Sequence, residues 1–184
     1  MSDPIGPRFF TTAATAQRWF PEHLLAGSGL IDYDVLGRLY APEQWRNSFG
    51  PGLLGDPIPF AQSDAAKAAR DVGVNEVYAA ANLAYSYMHL VVGGIQAAGP
   101  QLTPATFERG LLTSAPYGGW ARTHNPAVPL VKFGPGDYTA GEDSRNCWWD
   151  PNALSKIDGK PGAYIATEGG RRWEIGTWAG GEPK

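Results

Sequence analysis

Residues 75–112, NEVYAAANLAYSYMHLVVGGIQAAGPQLTPATFERGLL, decide the fold class. From Val77 to Ala98 no side chain is formally charged, and Gly99-Pro100 then supplies the left-handed residue and the proline on which helices stop. Asn75 stands where a cap belongs, so the spacing predicts one long helix. The run is long enough to span a bilayer, but Asn82, Ser86, His89, Gln96 and the pair Gly93-Gly94 interrupt it. No Lys or Arg cluster flanks it. The expectation is therefore a buried core helix. Thr103-Pro104 caps and starts a second, shorter helix through Phe107, Leu111 and Leu112.

Downstream the period changes. Residues 130–133, 146–149, 162–167 and 173–178 read as four short strands separated by turn residues such as Gly134-Pro135-Gly136. Upstream, residues 13–19 are helix-prone and end before Pro21, Leu24-Leu25-Ala26 reads as a short buried strand, and Gly27-Ser28-Gly29 is a tight loop. Asp32 is placed to cap a helix over 33–40, and Pro42 suits the first turn of another. Residues 50–59, GPGLLGDPIP, break that helix and mark a crossover between lobes, with 114–129 as a second crossover; Asp64 opens a further helix. Helices interleaved with strands give an α/β protein.

The composition narrows the function. Of 184 residues, 43% are hydrophobic, 12% aromatic and 18% charged, which suits a folded chain and excludes intrinsic disorder. The 24 glycines and 16 prolines are nearly twice the ordinary share and call for many turns. A formal charge of −3, without a basic block, disfavours nucleic acid as a partner. Cys147 is alone, so no internal disulfide can form. The opening Met1-Ser2-Asp3-Pro4 has an acid where an export signal carries basic residues, so the chain as written is expected to remain in the cytoplasm.

Candidate sites are few. Gly50, Gly52 and Gly55 spell the G-x-G-x-x-G letters of dinucleotide-binding proteins, with Asp71 downstream, but a helical pattern precedes them and Asp56-Pro57-Ile58-Pro59 follows. No cofactor is expected. His23, His89 and His124 lack metal-ligand spacing. Asp137, Glu142, Asp143 and Asp150 miss the EF-hand pattern and read as a solvated acidic loop, so no metal is expected either. Ser28 lacks the nucleophile elbow, and no nucleophile and base pair emerges, so the chain does not read as an enzyme. Trp120, Trp148, Trp149, Trp173 and Trp178 gather aromatic surface that could stack on sugars, but strand alternation sends Trp148 and Trp149 to opposite faces.

Three strings carry a family resemblance: TTAATAQRWFPEHLLAGSGLIDYDVLGRLYAPEQWRNSFGPGLLGD, YAAANLAYSYMHLVVGGIQAAGPQLTPATFERGLL and VKFGPGDYTAGEDSRNCWWDPNA. Together they resemble the second half of type I periplasmic or extracellular solute-binding proteins, more closely the branched-chain amino acid type of ABC-transporter substrate-binding protein found in actinobacteria. The resemblance runs from Phe9 to Trp178, and its most telling part is the long helix followed by AAGPQLTPATFERGL. It implies a partial two-lobe αβα sandwich that ends in short strands: residues 1–60 would end the second lobe, 61–125 would return to the first, and 126–184 would cross back.

The resemblance further implies binding rather than catalysis, with two lobes closing over a small amino-acid-like, amide or carboxylate solute. An ABC permease would be the partner and the cell envelope or exterior the location, without a transmembrane segment in this chain. The family's ligand-approaching loop maps onto Gly27, Ser28 and Gly29, with Asp32 and Tyr33 just beyond. Their chemistry suits that role: glycines let backbone donors approach a carboxylate, Ser28 and Tyr33 offer hydroxyls, and Asp32 can pair with an ammonium group. Asp32 has the helix N-cap as its other reading. On this resemblance, the family's first-lobe strands and its signal are expected to have no counterpart in residues 1–184. The alternatives are a truncated interaction remnant of such a protein that no longer binds solute, or an aromatic-rich carbohydrate-binding module.

Overall fold

The structure is a computed structural model that describes residues 4–26, 30–75 and 80–177. In chain order its elements are α1 (Gly6–Ala16), β1 (His23–Leu24), α2 (Asp34–Gly37), α3 (Pro42–Trp45), β2 (Ser48–Gly52), α4 (Asp64–Asp71), α5 (Ala80–Ala98), α6 (Pro104–Thr113), α7 (Trp120–Thr123), β3 (Asp143–Leu154), β4 (Pro161–Ala166) and β5 (Trp173–Glu174). They divide into two compact units, one made of Met1–Pro57, Gly118–Leu130 and Gly141–Lys184, the other of Ile58–Tyr117 and Val131–Ala140. The architecture is mixed α/β with an open sheet.

The first unit holds the sheet, ordered β1-β2-β3-β4 with β5 also paired to β3. Among the described residues only β1 and β2 run parallel, joined through α2 and α3; β3 is antiparallel to β2, β4 and β5. Strand β3 alternates in the period of a half-covered sheet: Asp143, Arg145, Cys147 and Trp149 point inward. The core on that face is Leu25, Ile31, Tyr40, Trp45, Cys147, Trp149 and Tyr164. Tyr164 fastens it by accepting from Trp45 Nε1 at 2.8 Å and donating to the Ile31 carbonyl. Across the other face, direct partners Leu24, Phe49, Trp148 and Ile165 form an apolar row, of which Leu24 is 72% exposed.

The second unit is helical. Ser63 caps α4 by accepting from Ala66 N, and Thr103 and Thr106 form a reciprocal capping box at α6, with Pro104 in its first turn. Helix α5 ends at Gly99, whose φ of +74° is the conformation glycine adopts freely. Gly94 and Ala98 of α5 are buried, whereas Tyr87, Met88, Val91, Val92 and Ile95 are exposed. The expected buried core helix is therefore covered on one side only. Among the described residues no helix is long and apolar enough to cross a membrane.

Several expectations change in detail. Residues 50–59 begin as strand β2, because Gly50, Pro51 and Gly52 pair with Cys147, Asn146 and Arg145. The expected helix over 33–40 shortens to α2, followed by turns, and Tyr33, not Asp32, occupies its N-cap position. The expected strand at 130–133 is a single bridge between Val131 and Tyr117, the strand at 146–149 extends over all of β3, and the loop at 114–129 contains α7. The cap expected of Asn75 concerns a helix start outside the described residues, as does Trp178.

Candidate functional site

The inward face of β3 is apolar at one end and charged at the other. Arg145, whose side chain is wholly buried, donates from Nη1 to Asp56 Oδ1 at 2.7 Å and from Nε to the Leu54 carbonyl at 3.1 Å. Arg172 joins the same carbonyl from Nη1 at 2.9 Å, reaches the Leu53 carbonyl from Nη2 at 2.9 Å, and pairs with buried Asp143 at 2.9 Å. Two guanidiniums thus converge on the 53–54 backbone, whose Leu54 N–H is donated to Asp32 Oδ2 at 2.8 Å. Lys156, exposed, takes the second oxygen of Asp56 at 2.6 Å.

Asp34 is fully buried and accepts from the Ser155 hydroxyl at 2.6 Å and from Tyr164 N at 3.0 Å. Burial pushes its carboxyl above the ordinary value, opposed by these hydrogen bonds and, through space, by Arg145 and Arg38. The Asp32 carboxyl is raised for the same reason, opposed by Leu54 N–H and the two buried arginines. Asp32 Oδ1 and Arg145 Nη2 are buried without a hydrogen-bond partner among the described residues, so each keeps unused bonding capacity.

A cleft of about 230 Å³ opens beside this network within the first unit. Asp34, Asp56 and Lys156 are the charged residues around it, and Pro57, Leu154 and the β4 segment 163–166 complete its lining. It is closed on another side by Gly169 and Gly170, whose φ values of +66° and +84° shape a turn that only glycine adopts without strain. A mixed lining of this kind orients a small molecule through its charged groups while the aliphatic wall removes its carbon skeleton from water.

The expected site residues are only partly described. Gly27, Ser28 and Gly29 lie outside the described residues. Asp32 and Tyr33 are adjacent, but Asp32 is turned inward onto Leu54 N–H rather than capping a helix. Its oxygen competes better there because the strand end at Gly52 brings the 53–54 backbone against it; a Cβ on Gly52 would come within 2.9 Å of Asp32 Oδ2. Tyr33 is half-buried, and its hydroxyl is raised first by burial and then by the nearby acids Asp34 and Asp158. Neither lines the cleft, whereas the next residue, Asp34, does.

Asp34, Asp56 and Lys156 went unrecognised in the sequence. The only local signal was the doublet Asp32-Tyr33-Asp34, two acids two residues apart in an apolar stretch; nothing in the spacing from 34 to 56 to 156 announces that they meet. Of the tryptophans, Trp149 is buried and Trp148 is exposed, as alternation requires, and the Arg171 guanidinium lies 3.9 Å over the Trp173 ring.

No protein-family model matches the chain, and no curated protein matches it. Among solved structures, the chain is similar to an ABC transporter substrate-binding protein from Aeropyrum pernix at 14% identity and a TM-score of 0.45. The alignment covers 88% of this chain and 39% of that one, so this chain spans well under half the length of the protein it aligns with.

Proposed function

We propose that this chain is a solute-binding component of an ABC-type importer, acting at the cell envelope or outside it and delivering a small amino-acid-like, amide or carboxylate solute to a membrane permease. The observation that carries the reading is the cleft of about 230 Å³ bordered by Asp34, Asp56 and Lys156, next in sequence to the segment that the family resemblance assigns to ligand contact. Residues Gly27, Ser28, Gly29, Asp32 and Tyr33 form the approach to the solute in this proposal, and Asp34, Asp56 and Lys156 its charged lining. Capture works by population shift: the solute makes contacts in the closed state that it lacks in the open one, and the permease reads the closed state.

The test is a thermal-shift panel of amino acids, amides, carboxylates and sugars on the purified chain, followed by calorimetric titration. A ligand at a hundred times its Kd contributes about 2.7 kcal/mol to the native state, which moves the midpoint visibly. A saturable shift from one class supports the reading. A folded chain that responds to none of them overturns it.

A second reading, an interaction module that binds no solute, is favoured by one observation. The row Leu24, Phe49, Trp148 and Ile165 leaves a continuous apolar strip on the sheet, the kind of surface that marks a protein partner. Association of the chain at micromolar concentration, without ligand binding, supports it.

A further inference from the structure

We propose that two copies of this chain pair through helix α5, each laying the exposed apolar strip of that helix on the other. The inference is independent of the solute-binding reading. Helix α5 turns one side to α6, where Gly94 approaches Phe107 and Leu111, and Ala97 and Ala98 approach Gly110. Another side carries Ala84, Met88, Val91 and Ile95, all exposed, at steps of four, three and four residues. That spacing returns to one face of the helix and is the seam by which one helix seats its side chains between those of a second. Tyr85, Tyr87 and Val92 flank the seam and are exposed as well.

Two observations point to a second copy as the occupant. From Ala80 to Ala98 the helix has no Asp, Glu, Lys or Arg, so across a two-fold axis the seam meets itself without like charges facing one another. A partner with a charged seam would have to strip its charges of water with nothing opposite to receive them. The basic polar face with which helices lie on anionic membranes is missing too. The area is the second observation. Tyr85, Tyr87, Met88, Val91, Val92 and Ile95 are 37–59% exposed. At roughly 150–200 Å² of free surface for side chains of this size, they offer about 500 Å² per copy and about 1,000 Å² in a two-fold pair, the area at which specific interfaces begin.

The experiment is sedimentation velocity on the full chain, from low micromolar to several hundred micromolar. The parent is expected to pass from monomer to dimer across that range. Val91→Glu and Val91→Lys, at an exposed position in the middle of the seam, are each expected to weaken the dimer at least tenfold. An equimolar mixture of the two is expected to restore it, because opposite charges then meet. Helical circular dichroism and the thermal midpoint establish that both variants are folded. Leu24→Glu, on the apolar strip of the sheet, is expected to leave the dimer unchanged. A parent that stays monomeric throughout, a dimer that dissolves with Leu24→Glu and not with Val91→Glu, a mixture that fails to associate, or growth past the dimer overturns the inference. A monomer that co-sediments with phosphatidylcholine vesicles gives the strip to lipid and overturns it too.

Discussion

Arg145 on β3 donates to the Asp56 carboxylate at 2.7 Å, joining residues 89 positions apart and fixing the chain that follows β2 to the centre of the sheet. The guanidinium is wholly buried and the carboxylate nearly so, which makes the pair sensitive to the loss of either partner. Arg145→Met removes the charge and strands Asp56 with one exposed lysine. Breaking a buried pair costs about 3–5 kcal/mol, and the surviving Lys156 contact puts the expected loss at about 3 kcal/mol. Urea unfolding followed by tryptophan fluorescence measures it; a loss under about 1 kcal/mol would show that the pair does not hold this region.

Asp32 and Asp34 give the first unit a defined pH response. Both carboxyls are raised above their ordinary value of 3.8, first by burial, so the folded state holds protons that the unfolded chain releases. With more protons on the folded side, stability falls as pH rises. Their contribution is full below pH 3.8 and is lost as pH climbs through the raised values. Asp34→Asn deletes one of the two groups and keeps an oxygen for Tyr164 N, while the Ser155 hydroxyl can turn to accept. The variant is therefore expected to gain stability relative to the parent as pH rises above 3.8, seen in denaturation midpoints measured across a pH series. A difference that stays constant with pH would mean that Asp34 does not titrate there.

Cys147 is expected to be inert in the folded chain. It is buried between Gly52 and the core, and burial pushes its thiol up to about 12, helped by the neighbouring acids and opposed by Arg145. At pH 8 the thiolate fraction is then roughly one part in ten thousand, and the sulfur is also shielded from reagents. Alkylation by iodoacetamide at pH 8 should follow the unfolding equilibrium and speed up by orders of magnitude in denaturant. Rapid labelling in native buffer would place the thiol at the surface.

What the sequence disclosed and what it concealed divide along the range of the interactions. Thr103-Pro104, Gly99-Pro100 and Pro42 act within one turn of the chain, so the start of α6, the end of α5 and the start of α3 were readable from a few letters. Strand β2 was not, because Gly50-Pro51-Gly52 looks like punctuation until Cys147 and its neighbours, about a hundred residues later, supply a ladder. The start of β3 was hidden by Asp143 and Arg145, charged residues that a strand normally turns to water and that are buried here through Arg172 and Asp56. The cleft was hidden for the same reason. Asp34, Asp56 and Lys156 meet only through long-range pairing, and the family resemblance pointed to the segment just before Asp34.

The adjacent glycines of α5 give a paired test of the second unit. A Cβ on Gly94 would come within 2.8 Å of Phe107 Cζ and 3.0 Å of Leu111 Cδ2, both on α6, whereas a Cβ on Gly93 would meet nothing within 4 Å. One position is therefore where two helices approach closely, and the other is a helix interior free of contacts. Gly93→Ala is expected to stabilise the unit by about 0.5–1 kcal/mol, because alanine loses less backbone entropy in a helix. Gly94→Ala brings the same propensity gain but forces the Phe107 ring and Leu111 aside. An overpacked contact costs about 1–3 kcal/mol, so the net effect is destabilising. Thermal unfolding followed by helical circular dichroism separates them: opposite shifts for the two variants support close α5–α6 packing at Gly94, and equal upward shifts would place α6 farther from α5 than these distances require.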